Sequence, residues 1–217
     1  MTATAQRPAP DPGGAAGPAG AGGGPGVRLL ALVLTVGGAI GLIAAFALTV
    51  EKIALLKDPS YKPSCSINPV LSCGSVMTTE QAEAFGFPNP LLGIAGFAVV
   101  TALGVVLLTG ALLPRWMWLS MQAGVTFGVV FVHWLIFQSL YRIDALCPYC
   151  MAVWAVMIPI FWYTTLHGLS RGLLPVPEQL RGGVRAVASL HGVVPTAWYL
   201  LIGVLILQRF WLYWTSL

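Results

Sequence analysis

Four cysteines are the side chains in this sequence that are best suited to chemistry. Cys147 and Cys150 form a CPYC motif, and Cys65 and Cys73 close the stretch CSINPVLSC. Paired thiols at such spacings can exchange disulfides by thiolate attack, hold a zinc ion, or act as structural staples. The elements that position the four sulfurs decide among these uses.

The amino-acid composition indicates whether those elements lie in water or in a lipid bilayer. Of 217 residues, 57% are hydrophobic and only 8% are charged. A typical soluble domain carries about a quarter of charged residues. The sequence therefore predicts an integral membrane protein.

Five continuous apolar runs are long enough to cross a bilayer, which takes about 20 helical residues. The runs do not alternate as barrel strands do, so they predict helices and an all-α fold. The predicted spans are Leu29–Val50, Leu91–Leu113, Trp116–Leu140, Pro148–Leu166 and Val193–Trp214.

The segments outside the spans differ in character. Residues 1–27 are rich in Pro, Gly and Ala and are predicted to be a disordered tail. Residues 51–90 form a connection long enough to be functional. Residues 168–192 form a basic connection, and residues 193–217 contain the fifth span. Between spans two and three stand little more than Pro114 and Arg115, which predicts a tight hairpin.

Counting crossings places all four cysteines on one face of the membrane, because two spans separate the loop pair from the CPYC pair. Basic residues in the connections favour a cytoplasmic N-terminus, although the bias is small. The expected location is the cell membrane, with the cysteines on the extracytoplasmic side, where disulfides persist.

The CPYC motif predicts the start of a helix. Pro148 suits the first helical turn, so Cys147 is expected at the N-cap of span four. The free amides and the dipole of a helix N-terminus favour a thiolate there. Cys150 is expected about one turn deeper in the membrane.

The loop pair is predicted to flank a short helix. Asn68 and Pro69 are expected to start it, and Gly74 to end it after VLSC. Cys65 precedes this helix in a polar stretch and is expected to be the most exposed of the four sulfurs. Cys73 is expected to face the bundle.

Three pairings of four cysteines are possible, and the residues do not choose among them. One alternative is a pair of structural disulfides, Cys65 with Cys73 and Cys147 with Cys150. A bridge between Cys147 and Cys150 would close too short a loop to stabilise much, which favours a redox role. A zinc site is less favoured, because the spacings are unusual and the compartment oxidises thiols. No metal is expected.

Three motifs in order resemble one known family. CSINPVLSCGSV, then NPLLG at the start of span two, then CPYC at the start of span four are similar to the vitamin K epoxide reductase family, in particular its bacterial members. The resemblance covers about residues 28–170. It implies a four-helix transmembrane bundle around a quinone over residues 28–167, with the fifth helix outside it.

The resemblance also implies an electron relay. Cys65 would exchange with a thioredoxin-fold partner, Cys73 would attack Cys147, and Cys150 would reduce a membrane quinone, either menaquinone or ubiquinone. The loop is expected to move so that Cys73 reaches Cys147. The chain ends at Leu217 directly after its fifth span, so the expected partner is a separate DsbA-like protein, and no nucleic acid is expected.

Four further residues are expected at the quinone. Asn89 matches the family position that hydrogen-bonds a ring carbonyl, although with Pro90 after it Asn89 is also a predicted N-cap. Thr78 and Thr79 fall where the family has a hydroxyl near the pocket. Trp154 stands where animal members carry a tyrosine, and it is expected to supply an aromatic wall.

The predicted function is a membrane thiol oxidoreductase that reoxidises its partner and passes the electrons to quinone, which supports disulfide formation in secreted proteins. Reduction of a quinone epoxide in the animal manner is an alternative within the same chemistry. A scaffold with structural disulfides is the alternative without catalysis. His133 in span three is expected to make an interhelical hydrogen bond.

Overall fold

The computed structural model describes residues 25–174, 179 and 181–215. The predicted tail 1–27 lies outside these residues except for its last three, which are helical. The basic connection 168–192 is described in part. It contains the short helix α7, given below.

The described residues form helices and the segments that connect them, with one isolated β-bridge. The continuous apolar runs explain this, because a helix satisfies its own backbone hydrogen bonds in lipid. The helices are α1 (Pro25–Leu32), α2 (Gly38–Lys57), α3 (Cys73–Met77), α4 (Asn89–Leu108), α5 (Arg115–Gln138), α6 (Pro148–Ser170), α7 (Arg181–Ser189), α8 (Val193–Arg209) and α9 (Trp211–Thr215).

Two π-helical segments extend these elements. Val33–Gly37 joins α1 to α2 in one continuous helix, and Ser139–Ile143 continues α5. Within the part of the chain that the structure describes, four helices are long and apolar enough to span a membrane: Gly26–Lys57, Asn89–Leu108, Arg115–Ile143 and Pro148–Ser170. The predicted all-α membrane bundle is confirmed.

The predicted fifth span is shorter than expected. α8 has 17 residues and ends at Arg209, so it is near the lower limit of about 17 residues for a spanning helix. α8 packs on α6 and on the π-helical segment that precedes the CPYC motif.

Small residues set the packing of the bundle. α2 packs on α4 and α6, and α5 packs on α6. A methyl group on Gly104 of α4 would lie 2.5 Å from the backbone nitrogen of Thr35, and one on Gly38 would lie 2.5 Å from the Thr101 hydroxyl. Glycine at these sites lets the two backbones approach closely.

α4 and α5 do not form the expected tight hairpin. α4 ends at Leu108, before the predicted end of span two, and Gly110 takes a φ of +81° in the connection. α4 packs on α1 and α2 whereas α5 packs on α6, so a large cavity lies between α4 and α5.

Candidate active site

The cysteine loop reaches the bundle through a two-bond backbone bridge. Leu146 donates its N–H to the Val70 carbonyl (2.7 Å) and accepts from the Ser72 N–H (2.8 Å). Leu71 and Leu146 thereby pair as a parallel β-bridge, two residues before Cys73 and one residue before Cys147. This bridge holds one cysteine of each pair at the same place.

The short helix of the loop lies later than predicted. The Asn68 side chain accepts hydrogen bonds from the N–H groups of Val70 and Leu71 and forms a turn instead of starting a helix. Ser72 is the N-cap of α3 and accepts from the Ser75 N–H. The predicted helix from Asn68 to Cys73 is therefore wrong. Cys73 is instead the first residue of α3, directly after the N-cap Ser72.

Cys65 and Cys73 are joined by a disulfide, with their Cα atoms 5.6 Å apart, while Cys147 and Cys150 are free thiols. The sequence alone does not choose among the three possible pairings of the four cysteines. The Cys73 sulfur lies 3.0 Å from that of Cys147. The expected loop movement is not needed to bring Cys73 to Cys147, because the backbone bridge already holds them together.

The order of exposure differs from the prediction. Cys65 is 6% exposed, Cys73 is fully buried and Cys147 is 1% exposed, whereas Cys150 is partly exposed. Cys65 was expected to be the most accessible, but it packs in a cluster with Leu48 and Met77. Cys150 is accessible because it lines the cavity.

Glu51 braces the segment that carries Cys65. This carboxylate near the end of α2 is 9% exposed and accepts hydrogen bonds from the Ser64 N–H and hydroxyl. Tyr61 also donates to Glu51, and this hydrogen bond raises the pKa of the Tyr61 phenol. A buried carboxylate is costly unless it is paired in this way. The brace therefore fixes the backbone next to Cys65.

Cys147 occupies the predicted N-cap of α6, just outside the membrane-spanning segment, with Pro148 in the first turn. A hydrogen bond from the Cys150 thiol lowers the pKa of the Cys147 thiol. The backbone N–H groups of Cys150 and Tyr149 act in the same direction and outweigh the opposing effect of burial. The site therefore favours a thiolate on the sulfur that faces Cys73.

The turn before Cys147 is held by the last turn of α8. Asp144 has a left-handed backbone with φ 58°, which a residue other than glycine rarely adopts. Arg209 forms an ion pair with the Asp144 carboxylate and donates through Nε to the Leu140 carbonyl (2.7 Å). α8 thus contacts the segment that presents Cys147.

The cavity between α4 and α5 has a volume of about 690 Å³. Its walls are apolar apart from a few polar side chains, as is usual for small-molecule sites of about 300–1,000 Å³. The polar or ionisable residues on its walls are Lys52, Gln81, Asn89, Trp116, Ser120, Ser139, Cys150 and Trp154. Most of these lie at the end of the cavity that adjoins the sulfurs.

Asn89 and Trp154 both lie on the cavity wall, and their expected contact with a quinone stays a prediction. Asn89 is the first residue of α4 and ties the preceding loop to it, because its side chain donates to the Gln81 carbonyl (2.7 Å) and accepts from the Ala84 N–H (3.1 Å). It does not cap α4, yet one N–H of its amide group remains available for a ligand. Trp154 is 4% exposed, and its buried indole N–H has no partner among the described residues.

Thr78 and Thr79 are not on the cavity wall. The Thr78 hydroxyl donates back to the Gly74 carbonyl (3.1 Å), and that of Thr79 donates to Val76 (2.8 Å), so both close the end of α3. The structure instead brings Lys52, Gln81 and Ser139 to the cavity. Sequence reasoning missed these residues because they come from three separate elements.

An unpartnered indole N–H and the Asn89 amide offer donors to a ligand with carbonyl oxygens, and the apolar walls suit a hydrophobic ring. The described residues therefore fit a quinone. The three sulfur atoms of Cys65, Cys73 and Cys147 also lie within 4.8 Å of one another, a distance compatible with a metal ion. Cys65 and Cys73 form the disulfide, however, so their sulfurs are not thiolates. Because cysteine binds metals as the thiolate, this arrangement does not favour a metal site.

Comparison with known proteins gives one positive finding. The model of the vitamin K epoxide reductase family matches residues 32–165, well over half of the chain. The matched range contains all four cysteines, the backbone bridge and the residues on the cavity wall that donate hydrogen bonds. No curated protein matches the chain.

Proposed function

The chain belongs to the vitamin K epoxide reductase family, and from this premise we propose that it transfers electrons from a thioredoxin-fold partner through two cysteine pairs to a membrane quinone. Membership implies oxidoreductase activity in a multi-pass membrane protein. The proposal adds the direction, the electron acceptor and a DsbA-like partner. Its product would be oxidised partner, which supports disulfide formation in secreted proteins.

The contact that carries the proposal is the 3.0 Å distance between the sulfurs of Cys73 and Cys147. Disulfide exchange proceeds by thiolate attack on a sulfur through a mixed disulfide, so the two pairs must meet. Only one cysteine of each pair does so. The remaining two, Cys65 and Cys150, lie toward the loop and the cavity respectively.

The first half of the relay exchanges thiols for disulfide without net oxidation. A thiolate of the reduced partner attacks Cys65, which breaks the bond between Cys65 and Cys73 and forms a mixed disulfide. The second partner thiol attacks that mixed disulfide and leaves as oxidised partner, with two thiols on Cys65 and Cys73. The exposed side chains of Ser64 and Ser66 flank the sulfur that the partner would attack.

The second half moves the electrons to the helix pair. Cys73 attacks Cys147 in its disulfide with Cys150 and frees the Cys150 thiolate. Cys65 then attacks Cys73, which restores the loop disulfide and leaves two thiols on Cys147 and Cys150. That pairing matches the disulfide and the free thiols seen here. A bound quinone would supply a two-electron acceptor for this dithiol.

A structural scaffold is less well supported. In a scaffold both cysteine pairs would be bridged, and Cys147 and Cys150 would not need to adjoin a cavity. Reduction of a quinone epoxide uses the same thiols, and no feature of the described residues favours it over quinone reduction.

The test uses purified protein in detergent, a soluble quinone analogue and a reduced thioredoxin-like protein as donor. Cys150→Ala is expected to abolish quinone reduction with any donor. Cys73→Ala is expected to abolish it with the protein donor, whereas a small dithiol that reduces the helix pair directly still supports it. If the intact chain leaves the quinone unreduced with either donor, the relay is wrong.

A further inference from the structure

Lys52 is the only charged side chain on the cavity wall among the described residues. It stands on α2, and its side chain is 12% exposed. An ammonium group on the wall of an otherwise apolar cavity is costly to bury, and such groups usually serve a function. The relay described above does not use this one.

The hydrogen bonds of Lys52 place its ammonium at the sulfur end of the cavity. Nζ donates to the Met77 carbonyl (2.7 Å), and Met77 packs in the cluster that contains Cys73 and Cys147. Leu48, one turn earlier on α2, packs in the same cluster. The other polar wall residues at this end include Cys150 and Asn89.

The ammonium retains capacity for a ligand. Nζ also pairs with the Glu83 carboxylate at 2.9 Å, which uses a second of its three N–H donors. The third donor has no partner among the described residues. Glu83 is 40% exposed, so this pair connects the buried ammonium to solvent.

Quinone reduction would be helped by a cation near the ring oxygens. Oxidation of the Cys147 and Cys150 thiols forms the bond between their sulfurs and releases two electrons and two protons, which convert two ring carbonyls to hydroxyls. Negative charge builds on a ring oxygen whenever an electron pair arrives before a proton. In an apolar cavity, a fixed cation stabilises that charge far more than water-exposed cations do.

We propose that Lys52 is a catalytic residue that stabilises the developing negative charge on the quinone oxygen nearest Cys150. This inference rests on the proposed function and deepens it. It assigns to α2 a part in the chemistry that the cysteine motifs do not reveal. The main competing role for Lys52 is as a clamp that holds the loop to α2 through Met77 and Glu83.

The variants separate these roles. Lys52→Met removes the charge and keeps the length of the side chain, and Lys52→Arg keeps the charge. Glu83→Gln weakens the clamp but leaves the ammonium in place. A catalytic role predicts that kcat for quinone reduction falls about 100-fold in Lys52→Met, as when one charge-stabilising donor is removed, with little change in KM. Lys52→Arg should restore much of kcat, and Glu83→Gln should keep it.

A binding measurement without turnover provides the second readout. A hydroxynaphthoquinone is an anion at neutral pH and mimics the charge on the ring oxygen, whereas its methoxy analogue is neutral. Quenching of tryptophan fluorescence in the oxidised protein reports the affinity for each. Lys52→Met is expected to lose about tenfold or more in affinity for the anion and little for the neutral analogue.

Three results would contradict the catalytic role of Lys52 or the proposed function. If Glu83→Gln and Lys52→Met lose kcat together, and Lys52→Met binds both analogues equally less well, Lys52 is a loop clamp. If Lys52→Met keeps kcat and its preference for the anion, the lysine has no role at the quinone. If the intact chain binds the anion through Lys52 but reduces no quinone with any dithiol, the proposed function fails while the lysine still marks an anion site.

Discussion

Cys147 is the residue at which local physical chemistry is most clearly tuned. The N-cap position gives it nearby backbone N–H groups, and the Cys150 thiol donates a further hydrogen bond. These interactions stabilise the Cys147 thiolate, which in the proposed relay is the group that leaves when Cys65 restores the loop disulfide, and a thiol of lower pKa leaves faster. The CPYC spacing therefore supplies both the N-cap position of Cys147 and the hydrogen bond that does most to lower its pKa.

The pH dependence of Cys147 reactivity tests this arrangement. With its pKa lowered, Cys147 becomes thiolate at a lower pH than an ordinary cysteine, so its reaction rate rises earlier as the pH increases. Cys150→Ala removes the largest stabilising hydrogen bond and is expected to shift the rate profile to higher pH. Mass spectrometry of the reaction with a small uncharged thiol reagent measures the profile.

The background for that experiment carries alanine at Cys65 and Cys73, so that Cys147 has no disulfide to attack. Cys150→Ser is the matched control, because a hydroxyl can still donate to the sulfur, and its profile should lie between the other two. Coincident profiles for all three chains would mean that the Cys150 thiol does not set the pKa of Cys147.

Among the elements, the bridge between Leu71 and Leu146 does most to join the two cysteine pairs. Ser72→Pro removes the N–H that donates to Leu146, and proline also cannot adopt the φ of −141° found there. Electron transfer from Cys73 to Cys147 is expected to slow at least tenfold. Rapid mixing with the protein donor, followed by acid trapping of the thiols, measures this step.

Ser72→Ala is the matched control for the bridge. It keeps the backbone N–H and loses only the cap of α3, so internal transfer should change little. Quinone reduction driven by a small dithiol at the helix pair should be unaffected in both variants. If Ser72→Pro transfers electrons at the normal rate, the loop reaches Cys147 by some other route.

The close contact of the π-helical segment Val33–Gly37 with α4 predicts a stability difference between two glycines of α4. Gly104→Ala places a methyl group against backbone atoms of residues 34 and 35, which cannot move aside, and should cost about 1–3 kcal/mol. Gly96→Ala meets nothing within 4 Å and should change stability by less than about 0.5 kcal/mol. Unfolding in mixed micelles measures both, and equal losses would contradict the close packing.

The helices and the CPYC cap followed from the sequence because each depends on neighbouring residues: apolar run length for the spans, and Pro148 for the start of α6. The loop was harder, because Asn68 can cap a helix or close a turn. The contact with Leu146, which lies far away in the chain, selected the turn. Burial of Cys65 and recruitment of Lys52 were likewise beyond local patterns, since both depend on how α2 meets the loop.

In the whole molecule, α8 attaches to the bundle at two levels. At mid-helix Trp198 donates to His133 (2.8 Å), whose other ring nitrogen bonds the Val129 carbonyl, so the predicted interhelical hydrogen bond of His133 is confirmed. At its end Arg209 holds the turn before Cys147. The fifth helix thus supports the site from outside, although the cavity is built without it.

The whole molecule also places all four cysteines at one end of the bundle, because the sulfurs of Cys65, Cys73 and Cys147 lie within 4.8 Å of one another and Cys150 follows Cys147 by one turn. Disulfide formation requires that this end face an oxidising compartment. We expect the N-terminus in the cytoplasm and the cysteine end outside.

Single-cysteine labelling tests the orientation in a chain whose four native cysteines are replaced by serine. Ser60→Cys, in the exposed loop beyond α2, should react with a membrane-impermeant maleimide in intact cells. Thr109→Cys, exposed after α4 at the opposite end, should react only after the cells are opened. The reverse labelling pattern would put the cysteines in a reducing compartment. It would then be incompatible with a role in oxidising secreted proteins, even if the relay to quinone works in detergent.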